Sequence, residues 1–142
     1  MKTEEIIAIP QEEAERLADG FVRFYGSLEG PEGVVAPQAL FDINVPTWRF
    51  QVEGPEAFVE WLKGYTSSGY QLSLRHVVPT SEGFVAEIEG TYEPHGHELY
   101  FRNLIACRVT GGLIDEVIYY CTGDWDHETR SHHTHEVKLV RP

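Results

Sequence analysis

The sequence predicts an α+β fold, and three observations predict it. In the first third of the chain, apolar residues recur at three- and four-residue spacing. From Gln71 onward the spacing falls to two. A glycine turn, Thr110-Gly111-Gly112, joins two of these period-two segments, so they run antiparallel. A helical N-terminal part followed by long antiparallel strands is the α+β arrangement.

The elements follow in order. Pro10 to Tyr25 reads as a helix, with Pro10 in its first turn and a stripe of Leu17, Phe21, Phe24 and Tyr25. Gly26 to Gly33 is a breaker-rich loop. Val34 to Phe41 reads as a short second helix, and Asn44 to Val52 as an extended segment with Trp48 and Phe50 on one face. Gly54 to Lys63 is a third helix whose buried stripe is Phe58, Trp61 and Leu62. Strands are expected over Gln71–Val78, Phe84–Tyr92, Leu99–Val109 and Leu113–Thr122. In the tail, Asp124 is expected to cap a short helix over Trp125 to His135, and Val137 to Val140 to form a last edge strand.

Composition narrows the function classes. The formal net charge of −12 repels phosphate backbones, which argues against a nucleic-acid partner. No apolar run approaches the roughly 20 residues of a membrane span, and Met1 to Glu5 lacks the apolar core of a signal peptide. These features point to a soluble cytoplasmic protein. The chain holds two cysteines, Cys107 and Cys121. With Val109 opposite Leu113 they fall several rungs apart, on the order of 20 Å, whereas a disulfide needs Cα atoms within about 7 Å. Free thiols in a reducing compartment are expected.

Three stretches carry a family likeness: Ala39-Leu40-Phe41-Asp42 with Glu53-Gly54-Pro55-Glu56-Ala57-Phe58, then Pro94 to Arg102, then Val109 to Val117 running on to Tyr119-Tyr120. Together with the order of elements, they make the chain resemble the nuclear-transport-factor-two-like superfamily, in particular its SnoaL-like branch. The resemblance implies a cone-shaped barrel: a strongly curved, mainly antiparallel sheet wrapped around N-terminal helices, with an internal pocket. It implies one domain over residues 1–142, helical over 10–65, sheet over 71–122 and a tail over 123–142. It also implies a homodimer. The superfamily includes isomerases, dehydratases, cyclases, epoxide hydrolases and binding domains, so fold alone does not give function.

The family's known active sites map onto this sequence unevenly. Where ketosteroid isomerases carry a tyrosine and two aspartates, Phe21, Trp48 and Ile105 stand here; none can do those jobs, and that activity is not expected. Where limonene epoxide hydrolases carry an acid–arginine–acid relay, Glu87, Glu89 and Tyr119 stand here. Where the SnoaL-type cyclases place an aspartate near the end of the last long strand, Asp124 lies close by.

The resemblance further implies that odd-numbered positions on the late strands face the pocket: Val85, Glu87 and Glu89; Phe101, Asn103, Ile105 and Cys107; Val117, Tyr119 and Cys121. A one-residue slip would exchange each for its neighbour. Glu87 and Glu89, two apart, would then share a face, and burial would raise a carboxyl pKa into the acid–base range. The same alternation fits the opposite arrangement, with Phe84, Ala86, Ile88 and Tyr92 buried. His76 suits a proton shuttle.

The expectation is a small-molecule enzyme binding a hydrophobic, cyclic or polyketide-like compound and doing acid–base chemistry without a cofactor. His76, Tyr119, Asp124 and Glu87 or Glu89 would move protons. Trp48, Phe21, Asn103, Ile105 and Phe101 would shape the pocket. The alternative is a non-catalytic binding or dimerisation domain, and a third, minor reading is a metal-dependent enzyme using the tail histidines. The tail histidines His127, His132, His133 and His135 and the pair His95 and His97 match no established metal motif, and no metal ligand is assigned.

Overall fold

The computed structural model describes residues 8–141; Met1–Ile7, on which the expectation about a signal peptide falls, and Pro142 lie outside them. Helix α1 spans Gln11–Ser27. Glu12 and Glu13 lie in its first turn, where the helix dipole favours negative charge. It ends at Leu28, whose left-handed backbone (φ 65°) turns its N–H onto Phe24 O. The buried stripe is the one the spacing predicts, extended to Ala14 and Ala18. Helix α2, Pro55–Lys63, starts on Gly54-Pro55 as expected and buries Phe58 and Leu62.

Between these helices the sequence expectation fails. Val34 to Phe41 is not a helix: β1 runs Val35–Val45 and β2 runs Trp48–Glu53. β1 is an inner strand, parallel to one neighbour and antiparallel to β2. Ala39, Phe41 and Ile43 face the core, while the exposed Pro37 and Gln38 interrupt the alternation that betrays a half-buried strand. Pro37, which argues against a strand in the sequence, falls inside the register shift between Val35 and Leu40, where no ladder bond is required. Pro46-Thr47 forms the turn into β2, with Thr47 at φ 64°. Asp42 locks this hairpin: Arg49 donates to its two oxygens at 2.8 and 2.6 Å and holds its carboxyl below the usual range.

The remaining strands are β3 Gln71–Pro79, β4 Gly83–Tyr92, β5 Leu99–Thr110 and β6 Leu113–Cys121. They complete a curled six-stranded sheet in the order β2-β1-β6-β5-β4-β3. Gly111 and Gly112, at φ 61° and 81°, make the two-residue β5–β6 turn, which demands positive φ at both positions. α1 packs on β3 and α2 on β1 and β2, so both helices lie across the hollow of the sheet. Their aromatic faces meet there: Phe58 stacks on Phe41 with centroids 4.5 Å apart and touches Phe21, Phe24 and Tyr25.

The tail also departs from expectation. Helix α3, His127–Glu136, is capped by Asp126, whose side chain accepts from Thr129 N at 2.8 Å; Asp124 is not the cap. Trp125 pairs its backbone with Tyr100 and so fastens the tail to the start of β5. Val137 to Val140 form no strand and are exposed. Among the described residues, no helix is long and apolar enough to cross a membrane. Cys107 and Cys121 are free; in the observed register Cys107 faces Val117 and Cys121 faces Asn103.

Candidate functional site

A cavity of about 220 Å3 opens between the helices and the inner face of the sheet. Aromatic side chains make most of its wall: Tyr25 from α1, Trp61 from α2, Tyr65 and Tyr70 from the loop after α2, Tyr92 from β4, Phe101 from β5 and Tyr119 from β6. Asp124 lies at its rim, exposed, just beyond β6.

The floor is polar. Tyr25 Oη donates to Asn103 Oδ1 at 2.8 Å and meets Tyr119 Oη at 3.0 Å. Tyr25 has one proton, and an amide oxygen only accepts. Tyr119 is therefore the donor to Tyr25. Asn103 is 3% exposed and its Nδ2 has no protein partner among the described residues. An unmet buried donor costs about 1–3 kcal/mol. Burial, first of all, holds the hydroxyls of Tyr25 and Tyr119 protonated well past their ordinary range and also raises the thiol of Cys121. At the rim, Tyr92 Oη donates to Asp124 Oδ2 at 2.5 Å.

Gly90 makes room for this wall. It sits opposite Phe101, and a Cβ there would lie 2.5 Å from the Phe101 ring and 2.6 Å from Leu72. The bare position lets the ring lie across the strand and face the cavity.

Strand parity decides which expected residues reach the site. On β5 and β6 the expected face is the inner one: Phe101, Asn103, Ile105, Cys107, Val117 and Tyr119 are buried. On β4 it is the reverse. Phe84, Ala86, Ile88 and Tyr92 are buried, and Glu87 and Glu89 lie on the outer face. The register explains this, because each odd β5 residue opposes an even β4 residue: Asn103 faces Ile88 and Ile105 faces Ala86. Outside, Arg102 contacts Glu87, and Tyr100 Oη donates to Glu89 at 2.5 Å.

His76 is also corrected. Leu72 and Leu74 face inward, but a β-bulge between Leu74 and His76 adds a residue. His76 then pairs with Glu87 on the outer face and is exposed. Trp48, expected in the pocket, sits at the β1–β2 hairpin end and is 71% exposed. Phe21 and Ile105 are fully buried in the core behind the cavity wall and do not line it. The structure thus brings together Phe101, Tyr119, Asp124 and, through Tyr25, Asn103. Sequence reasoning missed Tyr65, Tyr70, Tyr92 and the pocket role of Tyr25. The one signal for these was the aromatic richness of the sequence, seven tyrosines in all. Among the described residues, no three of His, Cys, Asp and Glu converge into a metal-holding group.

No protein-family model matches the sequence, and no curated protein matches it either. Solved structures do match. An NTF2-like protein from Anabaena variabilis aligns at TM-score 0.67 and 16% identity, over 87% of this chain and 96% of its own. A ketosteroid-isomerase-like protein from Kribbella flavida aligns at TM-score 0.63 and 14% identity, over 92% of each chain. An LEH-like epoxide hydrolase from M. tuberculosis aligns at TM-score 0.61 and 12% identity, over 78% of this chain and 83% of its own. With the curled sheet, the helices across its hollow and the chamber between them, these matches establish that the chain has the cone fold of the nuclear-transport-factor-two-like superfamily.

Proposed function

We propose that this chain binds a compact cyclic molecule in the aromatic cavity and moves a proton on it without a cofactor, as isomerases, dehydratases and cyclases do. The observation that carries this reading is that one carboxyl group, Asp124, and one network of hydroxyls, Tyr25 and Tyr119, open onto the same aromatic chamber. Isomerisation needs a single base. Asp124 takes a proton from the carbon beside a ligand carbonyl, and the C–H electron pair shifts toward the carbonyl. Tyr119 turns its O–H to the oxygen where charge grows, and Asp124 returns the proton at a second carbon. The volume, about 220 Å3, lies below the usual range of roughly 300–1,000 Å3 for drug-sized ligands and suits one ring better than several.

A second reading, non-catalytic binding, is favoured by a separate observation. Apart from Asp124, the titratable groups named at the cavity are tyrosines and a thiol, several of them held protonated by burial. One experiment divides the two. Single-ring cyclic enones are incubated with protein in D2O, and deuterium uptake beside the carbonyl is followed by NMR. Uptake with the wild type and none with Asp124→Asn is expected. Binding without uptake in either selects the non-catalytic reading.

Two further parts of the reading rest on the surface and the thiols. Leu104 and Tyr120 lie opposite each other on the outer face of the sheet, 51% and 55% exposed, which suits a homodimer. Gel filtration at the mass of two chains is expected, and elution at the mass of one counts against it. The free cysteines fit a reducing, cytoplasmic setting.

A further inference from the structure

The ligand's charge can be read from what surrounds it. We infer that the cavity selects a small organic cation, its ammonium centre held among the faces of Trp61, Tyr65, Tyr70 and Tyr92 beside Asp124. The inference rests on the reading of this cavity as a small-molecule site and names the ligand class within it.

Four observations converge. The first is the arrangement of rings. Trp61 meets Tyr65 at 5.6 Å and 85°, and Tyr70 meets Tyr92 at 4.8 Å and 47°. All four rings line the cavity, and π faces attract a cation. The second is the carboxyl group. Tyr92 donates to Asp124 Oδ2 and fixes the group at the cavity rim, and among the described residues no Lys, Arg or His pairs with it.

The third is that, among the described residues, no Lys, Arg or His lines the cavity. An anionic ligand would therefore lose its hydration and find no counter-charge. The fourth is the whole-chain field: a net charge of −12 raises the local concentration of cations. A quaternary ammonium has no N–H with which to protonate the carboxyl group, so the proton-accepting role of Asp124 survives its presence.

The test compares choline with 3,3-dimethylbutan-1-ol, which has the same shape with carbon in place of the charged nitrogen. Binding of each is followed by ligand-observed NMR and isothermal titration. A desolvated cation–π contact contributes about 1–2 kcal/mol, and each 1.4 kcal/mol is tenfold. Choline is therefore expected to bind about tenfold more tightly than the alcohol. Asp124→Asn removes the carboxylate's attraction and should lower the ratio of choline to alcohol affinity below its wild-type value. Tyr65→Leu replaces a half-exposed cavity ring that touches Trp61, and should weaken choline more than the alcohol.

Equal affinities, or an alcohol that binds better than choline, overturn the cation inference and leave the pocket reading intact. Silence from both probes, together with silence from neutral single-ring compounds, overturns the pocket reading and this inference with it.

Discussion

The β5–β6 and β3–β4 hairpins each carry one bulge, yet opposite parities face inward along β5 and along β4. In β5–β6 the two-residue turn starts in an odd register, Val109 opposite Ile114, and a bulge after Arg108 makes it even, so that Asn103 opposes Cys121, Ile105 opposes Tyr119 and odd residues face inward beyond the bulge. β4 joins β5 in an odd register, which turns its own odd residues, Glu87 and Glu89, outward. β3 then adds a bulge, which keeps Leu72, Leu74 and Val77 packed against the core and sets His76 outside. The chemistry follows the geometry: the floor of hydroxyls and amide belongs to β5–β6, and the ion pairs belong to the outer face of β4. A residue's place in such a sheet is fixed by the sum of its partners' numbers, which the residue itself does not show.

The sharpest way to break this comparison is to truncate one residue from each face of β4. Ile88→Ala removes a fully buried side chain opposite Asn103 and should cost about 2–5 kcal/mol in chemical denaturation. Glu87→Ala and Glu89→Ala on the outer face should each change stability by no more than about 1 kcal/mol, since half-exposed ion pairs contribute little. A loss at Glu89 as large as that at Ile88 would mean the glutamate faces inward after all.

The next test moves from stability to the site. Gly90→Ala puts a Cβ into the space of the Phe101 ring and of Leu72, and overpacking of this kind costs about 1–3 kcal/mol. Because Phe101 is a cavity wall, the displaced ring should also lower the affinity of any cavity ligand, read by titration of the folded variant. Gly83→Ala is the control. Its Cβ would strike the Cys107 carbonyl, away from the cavity lining, so it should destabilise the sheet without a separate effect on ligand affinity in the folded fraction.

The contrast also marks what was legible in the sequence. α1 and α2 follow their apolar stripes because each helix has one buried side, and the Gly111-Gly112 turn follows from the positive φ that both positions need. β1 was not legible: its short apolar run, interrupted by Pro37 and Gln38, reads equally well as a segment of buried helix. The inward face of β4 was half legible, because Phe84, Ala86, Ile88 and Tyr92 already form the more apolar set. The family parity pointed to the other set. The bulge before His76 has no sequence mark at all. The cavity wall gathers Trp61, Tyr65, Tyr70, Tyr92 and Tyr119 from four separate segments, and only the curl of the sheet brings them together.

The smallest effect isolates the floor itself. Burial raises the pKa of Tyr25, Tyr119 and Cys107 above the values these groups have in an unfolded chain. In the unfolded chain a cysteine loses its proton near pH 8.5 and a tyrosine near pH 10, while the folded chain keeps all three protons. Above those values the unfolded state binds fewer protons than the native state, so stability falls as pH rises. The contribution is fully present below about pH 8 and is lost above about pH 9–10. Each group that stays protonated contributes up to about 1.4 kcal/mol of loss per pH unit. Tyr119→Phe removes one such group, and denaturation curves between pH 9 and 11 should show a slope shallower by about that amount. Tyr100→Phe, on the outer face, removes a tyrosine that burial and its bond to Glu89 raise to about 12 but that lies outside the cavity. It should flatten the same slope and leave ligand binding unchanged, whereas Tyr119→Phe should weaken both. A Tyr119→Phe variant with the wild-type alkaline slope would mean that this hydroxyl is not buried at the floor, and the assignment of polar chemistry to the β5–β6 face would fall with it.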